Sequence, residues 1–246
     1  MESYRDVGLH RRIGLIIRKH SENREDIREI ANKALRWKDI HRMLNLGCGY
    51  GWYEEALEHR LDLIVGVDVY EENREAFLRA ARKASTSSLF LPSRLPSPID
   101  MPSGFFDLAV SIYSLYFFAG VLPEVKRILA LDGTFLAITH SEAMLEEAEE
   151  LFQFRSMRAT IEGFSAENGE AVLRRHFGSV THIDYDNCLV FNACDREDLR
   201  DYVLFKKGFI SSDEDPDFVT EKLLHELLRK GMLKFNKNDR IFLARK

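Results

Sequence analysis

Cysteine is scarce in this chain: three residues in 246 (Cys48, Cys188 and Cys194), none of them in a CxxC pair. That count argues against a disulfide framework and against a zinc site, and a reducing cytoplasm is the expected compartment. Long apolar runs are missing too. The most apolar stretch, LAVSIYSLYFFAGVL from Leu108, is too short and too interrupted by Ser and Tyr to span a bilayer. The opening residues MESYRDVGLHRRIG lack the apolar core of a signal peptide, so no secretory leader is expected. Charge of one sign is not in large excess: a net charge of -5 offers no attraction to a polyanion, and nothing favours nucleic acid as a partner. Internal repeats and low-complexity tracts are absent. Proline is sparse, and four of the six (Pro92, Pro96, Pro98 and Pro102) fall in LFLPSRLPSPIDMPSG, which marks one loop after a short third strand. What remains is 45% hydrophobic and 30% charged, ordinary for a globular chain long enough to bury a sizeable core.

The apolar pattern alternates between two periods. SENREDIREIANKAL has Ser21 in a cap position and apolar Ile27, Ile30, Ala31 and Ala34 at helical spacing. MLNL (Met43 to Leu46) reads as a short buried strand and WYEEALEH as a helix. LDLIVGVDV reads as a strand covered on both faces, and EENREAFLRAARKA as a helix. FDLAVSIYSL is another buried strand, LPEVKRILALDG a helix opened by Pro123 and stopped at Asp132-Gly133, and TFLAITH a further strand. This order predicts an α/β fold with a doubly wound, mostly parallel sheet and right-handed crossovers. Downstream, EAMLEEAEELF reads as an acidic helix with a solvated face, and FSAENGEAVLRRHF as a helix capped by Ser165. VTHIDYDNCLVFN reads as one strand, DREDLRDYVLFKKG and FVTEKLLHELLRKG as helices, and RIFLARK as a last strand; SSDEDPD is the best linker candidate. A single domain over 1–246 is expected, with an N-terminal helical lid at 1–40, a ligand-binding core at 41–140, and lid, insertion and sheet-completing segments at 141–246.

The segment RMLNLGCGYGWYEEAL packs Gly47, Gly49 and Gly51 into five positions between a strand and a helix start. Such a turn brings backbone N–H groups towards a ligand at the carboxyl edge of a parallel sheet. The next strand ends at Asp68, 21 residues after Gly47, where a carboxylate can accept hydrogen bonds from both hydroxyls of a ribose. Turn, spacing and strand-end acid together point to a nucleoside-containing ligand. A dinucleotide fingerprint would place a third glycine where Trp52 stands, which counts against an NAD-linked oxidoreductase, and a P-loop would need Lys-Ser/Thr. Glu54 and Glu55 would repel a phosphate but not an ammonium or a sulfonium.

MLNLGCGYG followed by IVGVDVYEEN resembles the first two motifs of the class I S-adenosylmethionine-dependent methyltransferases. FFDLAVSIYSLYFF and EVKRILALDGTFLAITH resemble their fourth- and fifth-strand blocks. The likeness is close over roughly residues 40 to 140. The tail resembles the small-molecule, ubiquinone-biosynthesis-like branch, in which a Rossmann-like sheet ends in an antiparallel hairpin. The resemblance implies S-adenosyl-L-methionine as cofactor and methyl transfer to O, N, S or C of a small-molecule acceptor. It implies that Gly47, Cys48, Gly49 and Gly51 lie along the methionine part and ribose, that Asp68 binds the ribose hydroxyls, that Val69 packs on the adenine, and that Ser111 sits near the cofactor's amino group. Asn45 stands where the family's usual pattern has an acid. After the third strand, Ser93, Arg94 or Leu95 would meet the adenine. Tyr113, Tyr116 and His140, just past the fourth and fifth strands, are the catalytic candidates; the alternative is that the tyrosines are core aromatics and His140 caps a turn. His10 is a weaker candidate, and His176, His182 and His225 read as surface or packing residues. No metal-ligand cluster is visible. The rival functions are an RNA methyltransferase, against which SIYSLYFF lacks an NPPY-type motif, and an S-adenosylmethionine-binding protein without catalysis.

Overall fold

Near-continuous apolar runs on the central strands make a sheet that must be covered on both faces. In the computed structural model, which describes residues 2–149, 151, 154–210 and 214–246, the strands are β1 (Arg42–Leu46), β2 (Leu61–Asp68), β3 (Ser85–Pro92), β4 (Phe106–Ile112), β5 (Leu129–His140), β6 (Ser179–Tyr185), β7 (Cys188–Asn192), β8 (Met232–Asn236) and β9 (Asp239–Arg245). The helices are α1 (Val7–His20), α2 (Ile27–Lys33), α3 (Arg74–Ala84), α4 (Leu122–Ile128), α5 (Arg155–Ile161), α6 (Gly169–Arg174), α7 (Arg196–Phe205), α8 (Lys207–Ile210) and α9 (Pro216–Lys230). Seven strands form one sheet in the order β3-β2-β1-β4-β5-β9-β6, while β7 and β8 form a separate antiparallel pair. Strands β1 to β5 are parallel, and β9 runs antiparallel to both β5 and β6. This is the expected Rossmann-like sheet with an antiparallel pair completing it.

Two cores flank the sheet. Leu44, Leu46, Val65, Val67, Phe135 and Ala137 face one, while Met43, Ile64, Leu136 and Ile138 face the other, as a period of two requires. A third core lies beyond the carboxyl ends of the parallel strands. Ile13 and Ile16 of α1, Met157 of α5, Phe191 of β7, Leu199 and Tyr202 of α7, Leu223 and Leu227 of α9 and Phe235 of β8 pack together there as a cap. Each such fully buried side chain contributes roughly 1.5–3 kcal/mol.

Several elements differ from their sequence reading. WYEEALEH is not a helix beyond one 3-10 turn at Glu54–Ala56; Tyr53 and Glu54, consecutive in sequence, are both buried, and eight residues carry little helical stability of their own. Ser21 caps no helix start. It ends α1, its hydroxyl donating to the Ile17 carbonyl at 2.8 Å, and α2 is capped by Asp26, which accepts from the Arg28 N–H. Helix α4 stops at Ile128, and LALDG belongs to β5, where the pairing with β4 shifts register between Phe106 and Leu108. EAMLEEAEELF forms only a 3-10 turn at Glu146–Ala148 within its described part, Glu150 and Phe152 lying outside the described residues. Its glutamates Glu146, Glu147 and Glu149 are exposed, as expected, but not on a helix face; Glu142 accepts from the Ser165 hydroxyl at 2.6 Å and Glu147 from the Asn236 N–H at 2.8 Å. VTHIDYDNCLVFN breaks at Asp186-Asn187 into β6 and β7, which belong to different sheets. Of the linker candidate SSDEDPD, Ser211 to Asp213 lie outside the described residues, and Asp215 caps α9 by accepting from Asp217 and Phe218 N–H groups. Ser165 does start the α6 turn, exchanging hydrogen bonds with Asn168 at 3.0 and 3.1 Å.

Candidate active site

The three glycines after β1 answer to different demands. A Cβ on Gly47 would lie 2.6 Å from Cβ of Ser114, and one on Gly51 would lie 2.8 Å from Cβ of Ala80 in α3. Both are therefore small because protein packs against them. At Gly49, with φ +51°, the nearest atom to such a Cβ is Cε1 of His10 at 3.9 Å, so the side with room opens onto a cavity. Asp68, at the end of β2, accepts the Gly49 N–H on Oδ2 and the Tyr70 N–H on Oδ1, each at 2.8 Å. Burial pushes its carboxyl up, against the pull of those N–H groups. The Asn73 side chain donates to the same carboxylate, which lines the cavity.

Beneath the turn lies a buried amide–acid pair. Asn45 Nδ2 donates to Oε1 of Glu54 at 2.8 Å, and burial pushes Glu54 up to about 7. Asn45 Oδ1 and Glu54 Oε2 are buried acceptors with no hydrogen-bond partner. The acid absent from position 45 is thus brought to the end of β1 through space. Glu54 does not face a ligand phosphate site as its sequence position suggested. Glu55 does line the cavity, paired with Arg11 of α1.

The cavity holds about 1080 Å³ and lies at the carboxyl ends of β1, β2, β4 and β5, roofed by α1. Asn45, Gly47, Cys48, Gly49, Asp68, Val69, Ser93, Arg94 and Leu95 line one part of it; Tyr113, Tyr116 and His140 line another. Two residues of the sequence reading do not reach it. Gly51 is turned against α3, and Ser111 is shut behind Ser114, its hydroxyl bonding the Leu46 carbonyl at 3.3 Å and Oγ of Ser114 at 2.8 Å. The Ser114 side chain, not that of Ser111, fronts the cavity.

Sheet register assembles the other end. Asp239, first residue of β9, lies between His140 of β5 and Tyr185 of β6. Its carboxylate accepts from Tyr113 OH at 2.7 Å and Lys237 Nζ at 2.6 Å, and stands 2.7 Å from Nδ1 of His140. Burial would raise the Asp239 carboxyl, but Lys237 and His140 outweigh it and leave it below the usual range. An ionised carboxylate only accepts, so the Nδ1 contact requires the proton on Nδ1 and leaves Nε2 with the lone pair. Burial first, then Lys237, pushes His140 down to about 4, which keeps the ring neutral at pH 7. The Tyr113 ring stacks on His140 at 4.5 Å and that of Tyr116 at 6.0 Å. Tyr113 itself has φ 53°, a left-handed backbone held by its N–H bond to the Ile138 carbonyl at 2.8 Å.

Four residues of this end were not singled out as site members, or were rated low, from sequence. Asp239 and Lys237 lie in NKNDRIFLARK, where only knowledge of the β5–β9 register would reveal them. Lys206, the residue ending α7, is 9% exposed and lines the cavity; burial, then Lys237, pushes it down to about 8. His10 of α1 also lines the cavity, with a buried Nδ1 that has no partner and a ring pushed down to about 4 by burial and then Lys206. His176, His182 and His225 lie outside the cavity lining.

The first end fits a nucleoside carrying an amino-acid tail. Asp68 presents a carboxylate to the cavity where a ribose diol could bind, Gly49 presents an open face, and the unpartnered Oδ1 of Asn45, which lines the cavity, is what an ammonium group would satisfy. Residues 44–137 match the family described as a methyltransferase domain. No curated protein matches the sequence. Among solved structures, the chain is similar to the YcgJ protein of Bacillus subtilis (19% identity, 96% of this chain and 98% of that one, TM-score 0.56). It is also similar to an S-adenosylmethionine-dependent methyltransferase of Mesorhizobium loti (20%, 89% and 96%, TM-score 0.50) and to the [4+2]-cyclase SpnF (15%, 99% and 96%, TM-score 0.56). At these identities the structural likeness speaks for the fold, while the matched domain speaks for the family. Residues 44–137 thus carry a methyltransferase domain, in a chain whose fold is that of S-adenosylmethionine-dependent methyltransferases.

Proposed function

We propose that this enzyme methylates a small-molecule acceptor bound at the His140 end of the cavity. The observation that carries this reading is the His140–Asp239 pair, 2.7 Å apart and buried, on the wall of the cavity that Gly49 and Asp68 also line. Asn45, Gly47, Gly49, Asp68 and Val69 would hold S-adenosylmethionine, whose sulfonium supplies an electrophilic methyl group. Asp239 fixes the ring so that Nε2 is the proton acceptor, and its charge stabilises the imidazolium once a proton arrives. Lys237 and Tyr113 hold Asp239 in turn, through hydrogen bonds of 2.6 and 2.7 Å. The stacked tyrosines wall off water, and an aromatic face beside a sulfonium is favourable for a cation. Alignment of acceptor and methyl in such a closed site supplies much of the rate.

Incubating purified protein with isotopically labelled S-adenosylmethionine and a metabolite extract, followed by mass spectrometry, should reveal a labelled small product. His140→Ala should lower turnover on that product by roughly 10²- to 10⁴-fold while leaving S-adenosylhomocysteine affinity nearly unchanged. Label appearing only in RNA would favour the nucleic-acid reading, and tight cofactor binding with no labelled product would favour the non-catalytic one. Wild-type turnover of the folded alanine variant would remove His140 from the chemistry.

A further inference from the structure

The acceptor end of the cavity contains one buried cation more than it contains partners for. Lys206 is nine-tenths buried, yet its ammonium makes no hydrogen bond or ion pair among the described residues; Nζ lies 5.8 Å from the centroid of the Tyr202 ring. The opposite charge that reaches it is that of Asp239, which already receives Lys237, Tyr113 and His140. With both cavity histidines neutral near pH 7, the cluster holds two lysine charges against one aspartate charge. A buried ammonium without an acceptor is costly, and the cost is relieved when a ligand brings one.

Where Lys206 sits decides which ligand. It lines the main cavity and, with Tyr4, Tyr116 and His140, which line that cavity too, also bounds a small space of about 10 Å³ under Met157 and Phe209 of the cap. That places it with the candidate base. The residue against the glycine turn is His10, by contrast. The walls around it are aromatic: Tyr4 meets Phe205 edge-on at 5.2 Å, His10 stacks on Phe205 at 5.6 Å, and Tyr116 meets Phe117 at 4.5 Å. These rings line the main cavity, where a flat ligand ring would pack well against them.

We propose that Lys206 is the specificity residue for the acceptor, and that the acceptor is an aromatic acid whose anionic oxygen pairs with its ammonium. This rests on the methyltransferase reading of the site and adds the charge of the substrate to it. The anion would complete the charge balance of the cluster, and a neutral analogue would leave Lys206 unpaired. Discrimination of this kind, by a polar group left without its partner, is the strong kind.

The test uses benzoate and its neutral counterpart benzamide as probes, titrated by calorimetry into protein saturated with S-adenosylhomocysteine. Wild-type protein should bind benzoate at least ten-fold more tightly than benzamide. Lys206→Met, which keeps the length of the apolar stem, should abolish that preference while S-adenosylhomocysteine affinity stays within two-fold, and Lys206→Arg should restore it. The proposal is overturned if benzoate does not bind, if benzamide binds equally well, or if the methionine variant keeps the preference. A ten-fold loss of S-adenosylhomocysteine affinity in Lys206→Met would also overturn it, by placing the ammonium on the cofactor's own carboxylate. Failure of wild-type protein to bind S-adenosylhomocysteine at all would count against the function itself, so the two readings fail separately.

Discussion

Single residues in this protein carry opposite loads although they look alike in sequence. Gly49 and Gly51 are two positions apart, both with positive φ, but one faces ligand space and the other faces Ala80. Gly49→Val should therefore lose S-adenosylhomocysteine binding while keeping a melting temperature within a few degrees of wild type, strain at positive φ being its only structural cost. Gly51→Val should lower the melting temperature sharply, because the new side chain has no room against α3. Calorimetry and thermal denaturation of the pair would separate the two roles, and equal behaviour would deny the distinction. Glu54 makes a prediction of a different kind. Its carboxyl titrates at 4.5 when exposed and at about 7 in the fold, so the folded state holds its proton more tightly. Stability from this group is complete below pH 4.5 and is lost as pH rises through 7, amounting to about 3 kcal/mol. Glu54→Gln in ligand-free protein should thus stay level where wild type declines, the gap in melting temperature growing between pH 5 and pH 8. An unchanged gap would mean that Glu54 ionises freely.

Elements were legible where the chain repeats a period over many residues and obscure where contacts decide. Four of the five parallel strands (β1, β2, β4 and β5), α3 and α9 follow from apolar spacing, and Asp68 follows from its place at the end of β2, whereas β3 is largely polar and runs into the proline-rich loop. The cap was harder. VTHIDYDNCLVFN alternates without interruption, yet it bends at Asn187, whose N–H bonds the Asn238 side chain at 2.8 Å from 51 residues away. Nothing local announces such a partner. The same holds for Asp239, which becomes a site residue only because β9 enters between β5 and β6. Ser111 was misplaced by a smaller margin: strand-end position was right, but Ser114 folds back over it. One buried side chain ties the roof to two other elements of the cap. His20 of α1 bonds the Val190 carbonyl of β7 at 2.8 Å and Asp198 of α7 at 2.9 Å, and stacks on Phe191 at 4.3 Å. Its replacement by alanine should cost about 1–3 kcal/mol by leaving those partners unmet. Hydrogen exchange should then quicken in α1 before it does in β1 or β4; uniform exchange would show that α1 is anchored elsewhere.

At the scale of the molecule, the site is divided between two parts of the chain with different histories. The part of the cavity proposed for the cofactor draws mainly on residues between Asn45 and Leu95, at the ends of β1, β2 and β3, with Ser114 and His10 beside the glycine turn. The acceptor end needs α1 from near one terminus, β5 from the middle, and Lys206, Lys237 and Asp239 from the other side of the cap. His140 and Asp239 are 99 residues apart in sequence, and their contact waits on the central placement of β9. Contacts of long sequence separation form late, because the entropy of closing the intervening loop has to be met before they reward it. A refolding chain should accordingly recover its two abilities at different times. After dilution from denaturant, fluorescence reporting S-adenosylhomocysteine capture should return first, and methyl transfer should follow after a lag. Simultaneous recovery would mean that the parallel half has no independent existence before β9 docks. With the lag, the molecule passes through a stage at which it can hold its methyl donor but cannot yet spend it.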